Sequence, residues 1–232
     1  MPPRRVWLSW STGKDSAWAL EELRRQPDVE VVALLTTVNA ASGRVAMHAV
    51  RETLLKGQAA AVGLPLIQVP IPHPCSNALY QQAMATAWAQ ARAAGVTHIA
   101  FGDLYLEDVR RYREALLAGT GIAPLFPLWG RDTGLLARQM IAAGLRAVLT
   151  CVDLKQLPAE FAGRCFDADL LAALPAGVDP CGEHGEFHTF AFAGPMFRAP
   201  LAIAIGPSVL REGFLFTDVL PASPLPAAAS QQ

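Results

Sequence analysis

Residues 6–25 read VWLSWSTGKDSAWALEELRR and place a strand, a polar loop and a helix in direct succession. Val6 to Trp10 is an apolar run typical of a short buried strand, and from Ala17 to Arg25 apolar residues recur at helical spacing. Between them lie the small and polar residues Ser11 to Ser16. Small residues there let several backbone N–H groups converge on one anion, and the helix N-terminus and Lys14 add positive charge. The stretch predicts a loop that binds polyphosphate.

Two other interpretations of the loop are weaker. A Walker loop needs Gly where this chain has Leu8, and Ser or Thr where it has Asp15. A helix N-cap without a ligand would explain the Ser, Thr and Asp residues, but neither the Gly13-Lys14 pair nor the strand before it. We therefore retain the phosphate loop.

Each residue of the loop has an expected role. We expect Lys14 and the backbone of residues 12–13 to hold phosphate, while the hydroxyls of Ser11 and Ser16 donate hydrogen bonds to it. A carboxylate cannot bind phosphate directly, so Asp15 is expected to orient Lys14 or to face a magnesium ion. The loop thus supplies two of the predicted catalytic residues, Lys14 and Asp15.

The same alternation of strand and helix continues through the N-terminal half. Strands are predicted at 29–37, 64–71 and 97–102, and helices at 48–62, 77–94 and 107–117. Strands separated by helices of this length are typical of parallel crossover units. We predict an α/β fold with a doubly wound parallel sheet and helices on both faces.

The pattern changes near residue 130. After a predicted helix at 133–143 and a strand at 147–152, Pro- and Gly-rich turns separate short apolar runs. We expect a phosphate-binding domain over residues 1–130 and a smaller α+β substrate-binding domain over 131–220. The Pro-, Ala- and Ser-rich segment 221–232 is expected to be a disordered tail.

Composition argues against several classes of protein. With 52% apolar and 17% charged residues, the chain is too hydrophobic to be disordered. A formal net charge of -1 provides no field for holding a polyanion, so nucleic acid is not expected as a main partner. No apolar run approaches the roughly 18 residues of a spanning helix, and the four cysteines form no CxxC pair. We expect a cytoplasmic protein with reduced thiols and no membrane partner.

Three further stretches accompany the loop, namely RVAMH at 44–48, FGDLYLED at 101–108 followed by Arg113-Glu114, and GEHGEFHT at 182–189. The loop resembles the pyrophosphate-binding loop of the ATP pyrophosphatase (PP-loop) group, usually Ser-Gly-Gly-Lys-Asp-Ser, with Thr12 as the one departure. All four stretches, in this order, resemble the diphthine-ammonia ligase family and its bacterial relatives. The resemblance covers most of residues 5–220.

The resemblance implies an activity and its reactants. The first domain would be a HUP-type ATP-binding fold, and the cleft against the second domain would take the substrate. ATP, with Mg²⁺, would adenylate a small-molecule or protein-borne carboxylate, and ammonia or an amine would convert the acyl-adenylate to an amide. Diphthine belongs to an archaeal and eukaryotic translation factor, whereas this Ala-, Leu- and Pro-rich chain looks bacterial, so we expect a different acceptor. A homodimer remains open.

Three further positions are candidates for the ATP or substrate site. Asp103 follows the apolar run 99–101, at the carboxyl end of a predicted parallel strand, and is expected to face ATP or magnesium; a turn-forming Gly-Asp pair is the alternative. The charges of 107–114 are interpreted mainly as a solvated helix face, with Arg113 as a candidate for substrate binding. With the resemblance, His48 is a candidate ligand for nucleotide phosphate or substrate.

The stretch GEHGEFHT concentrates two carboxylates and two imidazoles. If the chain is strand-like from Glu186 on, Glu186 and His188 share one face and could bind an ammonium and take its proton. Glu183 is assigned with them to substrate binding. A zinc half-site of Cys181 and His184, or a polar hairpin without a role, are the alternatives, and no protein-ligated metal site is predicted. The complete predicted catalytic set is Lys14, Asp15, Asp103 and Glu186.

Two other functions were weighed against the ligase. An enzyme that adenylates and thiolates tRNA would need a reactive cysteine pair or iron-sulfur site and a basic RNA face, and the sequence shows neither. An ATP-binding sensor without turnover would not need the polar cluster around Glu186. The sequence therefore favours an AMP-forming amide ligase.

Overall fold

The computed structural model describes residues 2–45 and 49–222 of the 232-residue chain. Its first sheet is mostly parallel and has the strand order β3-β2-β1-β5-β6, with β4 also paired to β2. These strands are β1 (Arg4–Ser9), β2 (Val29–Asn39), β3 (Arg44–Val45), β4 (Leu66–Ile71), β5 (His98–Ala100) and β6 (Ala123–Leu125). Every pairing is parallel except β2 with β3, which is antiparallel.

Helices cover both faces of this sheet. They are α1 (Lys14–Arg24), α2 (Glu52–Val62), α3 (Asn77–Ala93), α4 (Glu107–Leu117) and α5 (Thr133–Ala142). Successive residues of β1 enter different cores, because side chains of a strand alternate between faces. Leu8 packs in the core that contains Trp18 of α1, whereas Trp7 packs in the core that contains Trp88 of α3. The predicted α/β fold with a doubly wound sheet is confirmed.

A second sheet is antiparallel, with the order β8-β7-β10-β9. Its strands are β7 (Arg146–Asp153), β8 (Phe187–Ala193), β9 (Ile203–Arg211) and β10 (Phe214–Pro221), and a short helix α6 (Ala168–Ala173) lies between β7 and β8. Phe190 of β8 belongs to the same apolar core as Trp18 of α1 and Leu54 of α2. The second sheet is therefore packed against the α1 and α2 side of the first.

Several predicted boundaries differ from the structure. The first helix begins at Lys14 and not at residue 17, so three residues of the phosphate loop form its first turn. The helix predicted from residue 48 begins at Glu52. The predicted tail was wrong at its start, because Pro221 pairs with Ile203 at the end of β10; residues 223–232 lie outside the described residues. None of the helices in the described ranges is both long and apolar enough for a membrane crossing.

Candidate active site

A cavity of about 510 Å³ opens at the carboxyl ends of the parallel strands. Residues that follow β1 and β5, such as Ser11 and Asp103, line one side of it, and His188 of β8 lines another. Ligands of open α/β sheets bind at this edge, because the loops that follow the strands converge there. The fold thus brings the phosphate loop and the GEHGEFHT stretch to one cavity.

The phosphate loop ends in a helix N-terminus whose N-cap residue is a glycine. Gly13 has no side chain to cap α1, and the Lys14 amide of the first turn donates to Thr189 Oγ1 of β8 at 3.1 Å. Ser16 Oγ donates to the Gly13 carbonyl at 3.0 Å, and Ser11 Oγ accepts from the Gly13 amide at 3.3 Å. Ser11, Lys14, Asp15 and Ser16 line the cavity, whereas residues 12–13 do not. Two hydroxyls and one cation at a helix N-terminus suit an anionic ligand.

Thr12 adopts a backbone conformation that usually requires glycine. Its φ is +74°, its side chain is fully buried, and its hydroxyl has no hydrogen-bond partner in the described part of the chain. A non-glycine residue in this region costs about 1–2 kcal/mol. The Thr12 carbonyl accepts from Gln58 Nε2 and from the Ala191 amide, both at 2.9 Å. The loop is therefore held from its rear by α2 and β8.

Gln58 is a structural residue that sequence reasoning missed. It is 0% exposed, and its Oε1 accepts from Trp10 Nε1 at 2.8 Å while its Nε2 also donates to the Ala191 carbonyl at 2.6 Å. One signal could have revealed it. Gln58 lies within the apolar stripe of α2, four residues after Leu54, where an amide must find buried partners.

The Lys14 ammonium is buried between charged, carbonyl and aromatic groups. Its side chain is 2% exposed, and Nζ donates to Asp15 Oδ2 at 2.9 Å and to the Cys181 carbonyl. The rings of Phe166 and Phe187 lie 5.4 and 5.3 Å from Nζ. Burial alone would lower the pKa of Lys14, but Asp15, Cys181 and Glu183 together outweigh it and raise the pKa above its usual value. Lys14 thus provides a fixed positive charge at the cavity wall, and Asp15 holds it there.

Asp179 organises the turn before β8. Its carboxylate accepts from the Cys181 amide at 2.8 Å, from Thr133 Oγ1 at 2.7 Å and from the Tyr105 hydroxyl at 3.3 Å. Its own amide donates to Glu186 Oε1 at 2.9 Å. These contacts join α5, the segment after β5 and the turn, so Asp179 fixes the position of the carbonyl that receives Lys14.

Glu183 faces the cavity from this turn. Its Oε1 accepts from the Leu104 amide at 2.8 Å, which places it beside the segment that contains Asp103. Burial raises the pKa of Glu183 to about 7, and the carboxylates of Asp15 and Asp103 add to the rise. Glu183 can therefore exchange a proton near neutral pH.

Glu186 does not line the cavity, which corrects the expected pairing with His188. Its side chain is 1% exposed, one oxygen accepts from the Asp179 amide, and the other has no partner in the described part of the chain. β8 begins at Phe187, so Glu186 ends the turn before the strand. His188 does line the cavity. Burial, and then the Lys14 charge, lowers the pKa of His188 to about 4, so its imidazole is neutral at physiological pH.

Asp103 and Arg113 form an ion pair at the cavity wall. Arg113 Nε lies 3.3 Å from Asp103 Oδ2, and both residues line the cavity. The preceding Gly102 packs against the phosphate loop, since a Cβ there would lie 3.0 Å from the carbonyl carbon of Asp15. The remaining charges of α4 are mostly solvent-facing, as the 2.9 Å pair of Arg110 with Glu114 illustrates.

Two further expectations concern His48 and the pair Cys181 and His184. His48 lies outside the described residues. The buried Cys181 thiol donates to the Thr133 carbonyl at 3.4 Å, and His184 Nε2 lies 2.9 Å from the Tyr105 hydroxyl. Within 2–45 and 49–222, no group of three or more His, Cys, Asp or Glu side chains is arranged to hold a metal ion.

Fold and site together define the class of this protein. The mostly parallel sheet has the predicted phosphate loop after its first strand, and the antiparallel sheet completes the cavity. This α/β architecture is consistent with a PP-loop ATPase fold plus a C-terminal domain. The family model of the diphthamide synthase N-terminal domain matches residues 4–123, and that of the C-terminal domain matches 132–215. The chain belongs to the diphthamide synthase, or diphthine–ammonia ligase, family.

Individual relatives match about half of the chain. Diphthine–ammonia ligase of Danio rerio is 33% identical over 121 residues, which are 49% of this chain and 47% of that protein. The enzyme named diphthine–ammonia ligase in Homo sapiens is 30% identical over 120 residues, 49% of this chain and 45% of its own length. The chain thus spans about half the length of the curated relatives it matches. The family resemblance drawn from the four sequence stretches is confirmed.

Proposed function

We propose that the protein is an ATP-dependent, AMP-forming ligase that adenylates a carboxylate and converts it to an amide with ammonia or an amine. The observation that carries the proposal is one cavity lined by the Lys14 loop, the Asp103–Arg113 pair, and Glu183 and His188 from the second sheet. Membership in the family of diphthine–ammonia ligases supports the same reaction.

In the first step, a carboxylate oxygen attacks the α-phosphorus of ATP, the bond to the bridging oxygen breaks, and pyrophosphate leaves. Lys14 and the N-terminus of α1 would stabilise the charge that develops on the leaving group. The hydroxyls of Ser11 and Ser16 donate to Ser16 Oγ and to the Gly13 carbonyl in this structure, and they would rotate away from these acceptors to donate to phosphate oxygens. The Lys14 amide donates to Thr189 Oγ1 at 3.1 Å. A phosphate oxygen would therefore have to replace the Thr189 hydroxyl as the acceptor of this amide.

Asp15 fits a magnesium ion delivered with ATP. Its Oδ1 is buried and has no hydrogen-bond partner among the described residues, while Oδ2 contacts Lys14. Magnesium is usually bound through one or two carboxylates together with substrate phosphates, so a cluster of protein ligands is not required. Asp15, with Asp103 as a second candidate, would hold the ion, which neutralises phosphate charge when bound.

In the second step, nitrogen attacks the acyl carbon, AMP leaves, and the nitrogen loses a proton. We propose Glu183 as the group that takes this proton, in place of Glu186. Glu183 lines the cavity and has its pKa raised to about 7, which suits a general base near neutral pH. Glu186 is enclosed by protein and instead supports the turn through the Asp179 amide.

The acceptor is proposed to be a carboxylate other than diphthine. This part of the proposal rests on the Ala-, Leu- and Pro-rich composition of the chain. Both small-molecule and protein-borne acids belong in the first screen.

The proposed reaction is tested by measuring both products that ATP would give, pyrophosphate and AMP. The purified chain is incubated with ATP, Mg²⁺, ammonium and a panel of acids, and pyrophosphate and AMP are quantified together. We expect equal amounts of both, abolished by Lys14→Ala and retained in Lys56→Ala, a matched change at an exposed lysine of α2. ADP as the product would contradict adenylation, and tight ATP binding without turnover would favour a sensor.

A further inference from the structure

The cavity has an apolar end that the phosphate chemistry does not use. Between α3 and α4 its wall consists of apolar and aromatic side chains, which we call the aromatic chamber: Tyr80, Met84, Trp88, Phe101 and Leu116. We propose that the aromatic chamber binds the body of the acceptor, with Arg113 holding its carboxylate, so that the acceptor is a small acid with an apolar or aromatic body. This inference rests on the proposed function and specifies its substrate class.

The walls of the aromatic chamber belong to the protein core. Met84, Trp88 and Phe101 are buried and pack together in the core on the α3 side of the sheet. Their positions are therefore fixed before a ligand arrives, and a preformed apolar pocket favours a body of matching shape. Because the same cavity of about 510 Å³ must also hold the base and phosphates of the nucleotide, the chamber suits a body no larger than about one ring.

Arg113 lies where the aromatic chamber meets the polar end of the cavity. Its guanidinium carbon is 5.0 Å from the centre of the Phe101 ring, and its Nε is 3.3 Å from Asp103. The contact with Asp103 uses the Nε donor, and the Tyr80 hydroxyl is a further hydrogen-bonding neighbour of the guanidinium. The two terminal nitrogens carry four N–H groups in a planar fork that matches a carboxylate, and a bound acid would share them with Tyr80. Burial raises the pKa of Tyr80, and the positive charge of Arg113 partly opposes this rise. Tyr80 therefore lies close to the Arg113 guanidinium.

The adenine base finds more hydrogen-bond partners in a different part of the cavity. The ring nitrogens and amino group of adenine need hydrogen-bond partners when they are buried. Thr36 and Thr37 at the carboxyl end of β2 line the cavity beside the phosphate loop. Thr36 Oγ1 donates to the Trp10 carbonyl at 2.8 Å and so offers only its lone pairs, while Thr37 offers its hydroxyl. In the chamber, Met84, Phe101 and Leu116 have no side-chain donor or strong acceptor. The buried Trp88 Nε1 has no hydrogen-bond partner among the described residues, but it is a donor only, so the amino group of adenine would find few acceptors there. The base therefore fits the β2 side, and the chamber remains for the acid.

The test measures binding separately from turnover. Isothermal titration of the chain, saturated with Mg²⁺ and a non-hydrolysable ATP analogue, compares phenylacetate and 3-methylbutanoate with succinate. We expect the two apolar acids to bind at least tenfold more tightly than succinate. Binding of none of them, or a preference for succinate, would overturn the inference, even if pyrophosphate release with another acid supports the ligase activity.

Two variants locate the bound acid. Leu116→Asp places a carboxylate at a half-buried position of the chamber, and Arg113→Met removes the guanidinium group. Each change should weaken the binding of phenylacetate at least tenfold and change the affinity for ATP less than twofold. Leu135→Asp, at an exposed leucine of α5, is the matched control and should change neither. Loss of ATP affinity in Leu116→Asp with unchanged acid affinity would assign the chamber to the base and overturn the inference. Absence of pyrophosphate release with any acid, despite tight phenylacetate binding, would contradict only the proposed function.

Discussion

Replacing Gln58 by leucine tests whether the second sheet holds the phosphate loop in its conformation. The substitution keeps a side chain of similar size but removes three hydrogen bonds, to Trp10 Nε1, to the Thr12 carbonyl and to the Ala191 carbonyl. The Thr12 carbonyl retains the Ala191 amide as a donor. The indole N–H of Trp10 and the Ala191 carbonyl lose this partner at a position that is fully buried.

The expected loss of stability follows from those two groups. A buried donor or acceptor left without a partner costs about 1–3 kcal/mol, which gives roughly 2–6 kcal/mol for two. Because the leucine does not need to be desolvated as the amide was, part of this cost is offset, and we expect a loss of about 2–4 kcal/mol. The strained Thr12 also loses one restraint, so we expect ATP to bind about tenfold more weakly, equivalent to about 1.4 kcal/mol.

Urea unfolding measures the stability of Gln58→Leu, and isothermal titration measures its ATP affinity. Gln82→Leu, at an exposed position of α3, is the matched control and should lie within about 0.5 kcal/mol of the parent. A Gln58→Leu protein as stable as the parent would refute the hydrogen-bond argument. Lower stability with unchanged ATP affinity would refute the proposed link between Gln58 and the phosphate loop.

Three further changes have defined outcomes. Because Thr12 has a φ of +74°, Thr12→Gly should be more stable than Thr12→Ala by about 1 kcal/mol in urea unfolding. At the exposed helical position 85 the order should be reversed, with the alanine protein more stable than the glycine variant by about the same amount. The pKa of Glu183 is raised from 4.5 to about 7, so the folded state retains a proton that the unfolded state loses, and stability falls as pH rises between these values. Allowing for solvent screening, Glu183→Gln should be more stable than the parent by about 1–2 kcal/mol at pH 8, and the difference should vanish below pH 4. Asp179→Ala leaves the Cys181 amide and two hydroxyls without their acceptor and should lower the free energy of unfolding by about 2–4 kcal/mol, against less than 0.5 kcal/mol for the exposed Asp108→Ala.

Local patterns predicted the first sheet and its helices well. α4 spans the predicted residues 107–117, and α3 and α5 end within one residue of their predictions, because their apolar spacing and flanking turns are properties of a short segment. The strands of the second sheet were less visible. β9 is exposed along most of its length and pairs only with β10, so its sequence lacks the alternation that a half-buried strand shows.

The site could be predicted only as far as local sequence defines it. The loop around Lys14 was identified because one strand, one turn and one helix are adjacent in the chain. The contact between the Thr12 carbonyl and the Ala191 amide, by contrast, joins residues far apart in sequence, and no local pattern encodes it. Glu186 was misplaced for a related reason. Alternation indicates which residues share a face of a strand. It does not indicate that this carboxylate is buried and that one of its oxygens accepts from the Asp179 amide.

Thr12 shows how a departure from a family pattern can agree with the family architecture. Glycine at this position would reach a positive φ without strain, while threonine reaches it only under restraint. The restraint comes from α2 and β8, since Gln58 and the Ala191 amide both donate to the Thr12 carbonyl. A loop fixed in this way loses less conformational freedom when it binds phosphate than a flexible glycine loop would, which favours binding. The second sheet therefore contributes to the proposed nucleotide site from behind the loop as well as from across the cavity. We expect changes in this sheet to weaken ATP binding even where no β8 side chain contacts the nucleotide.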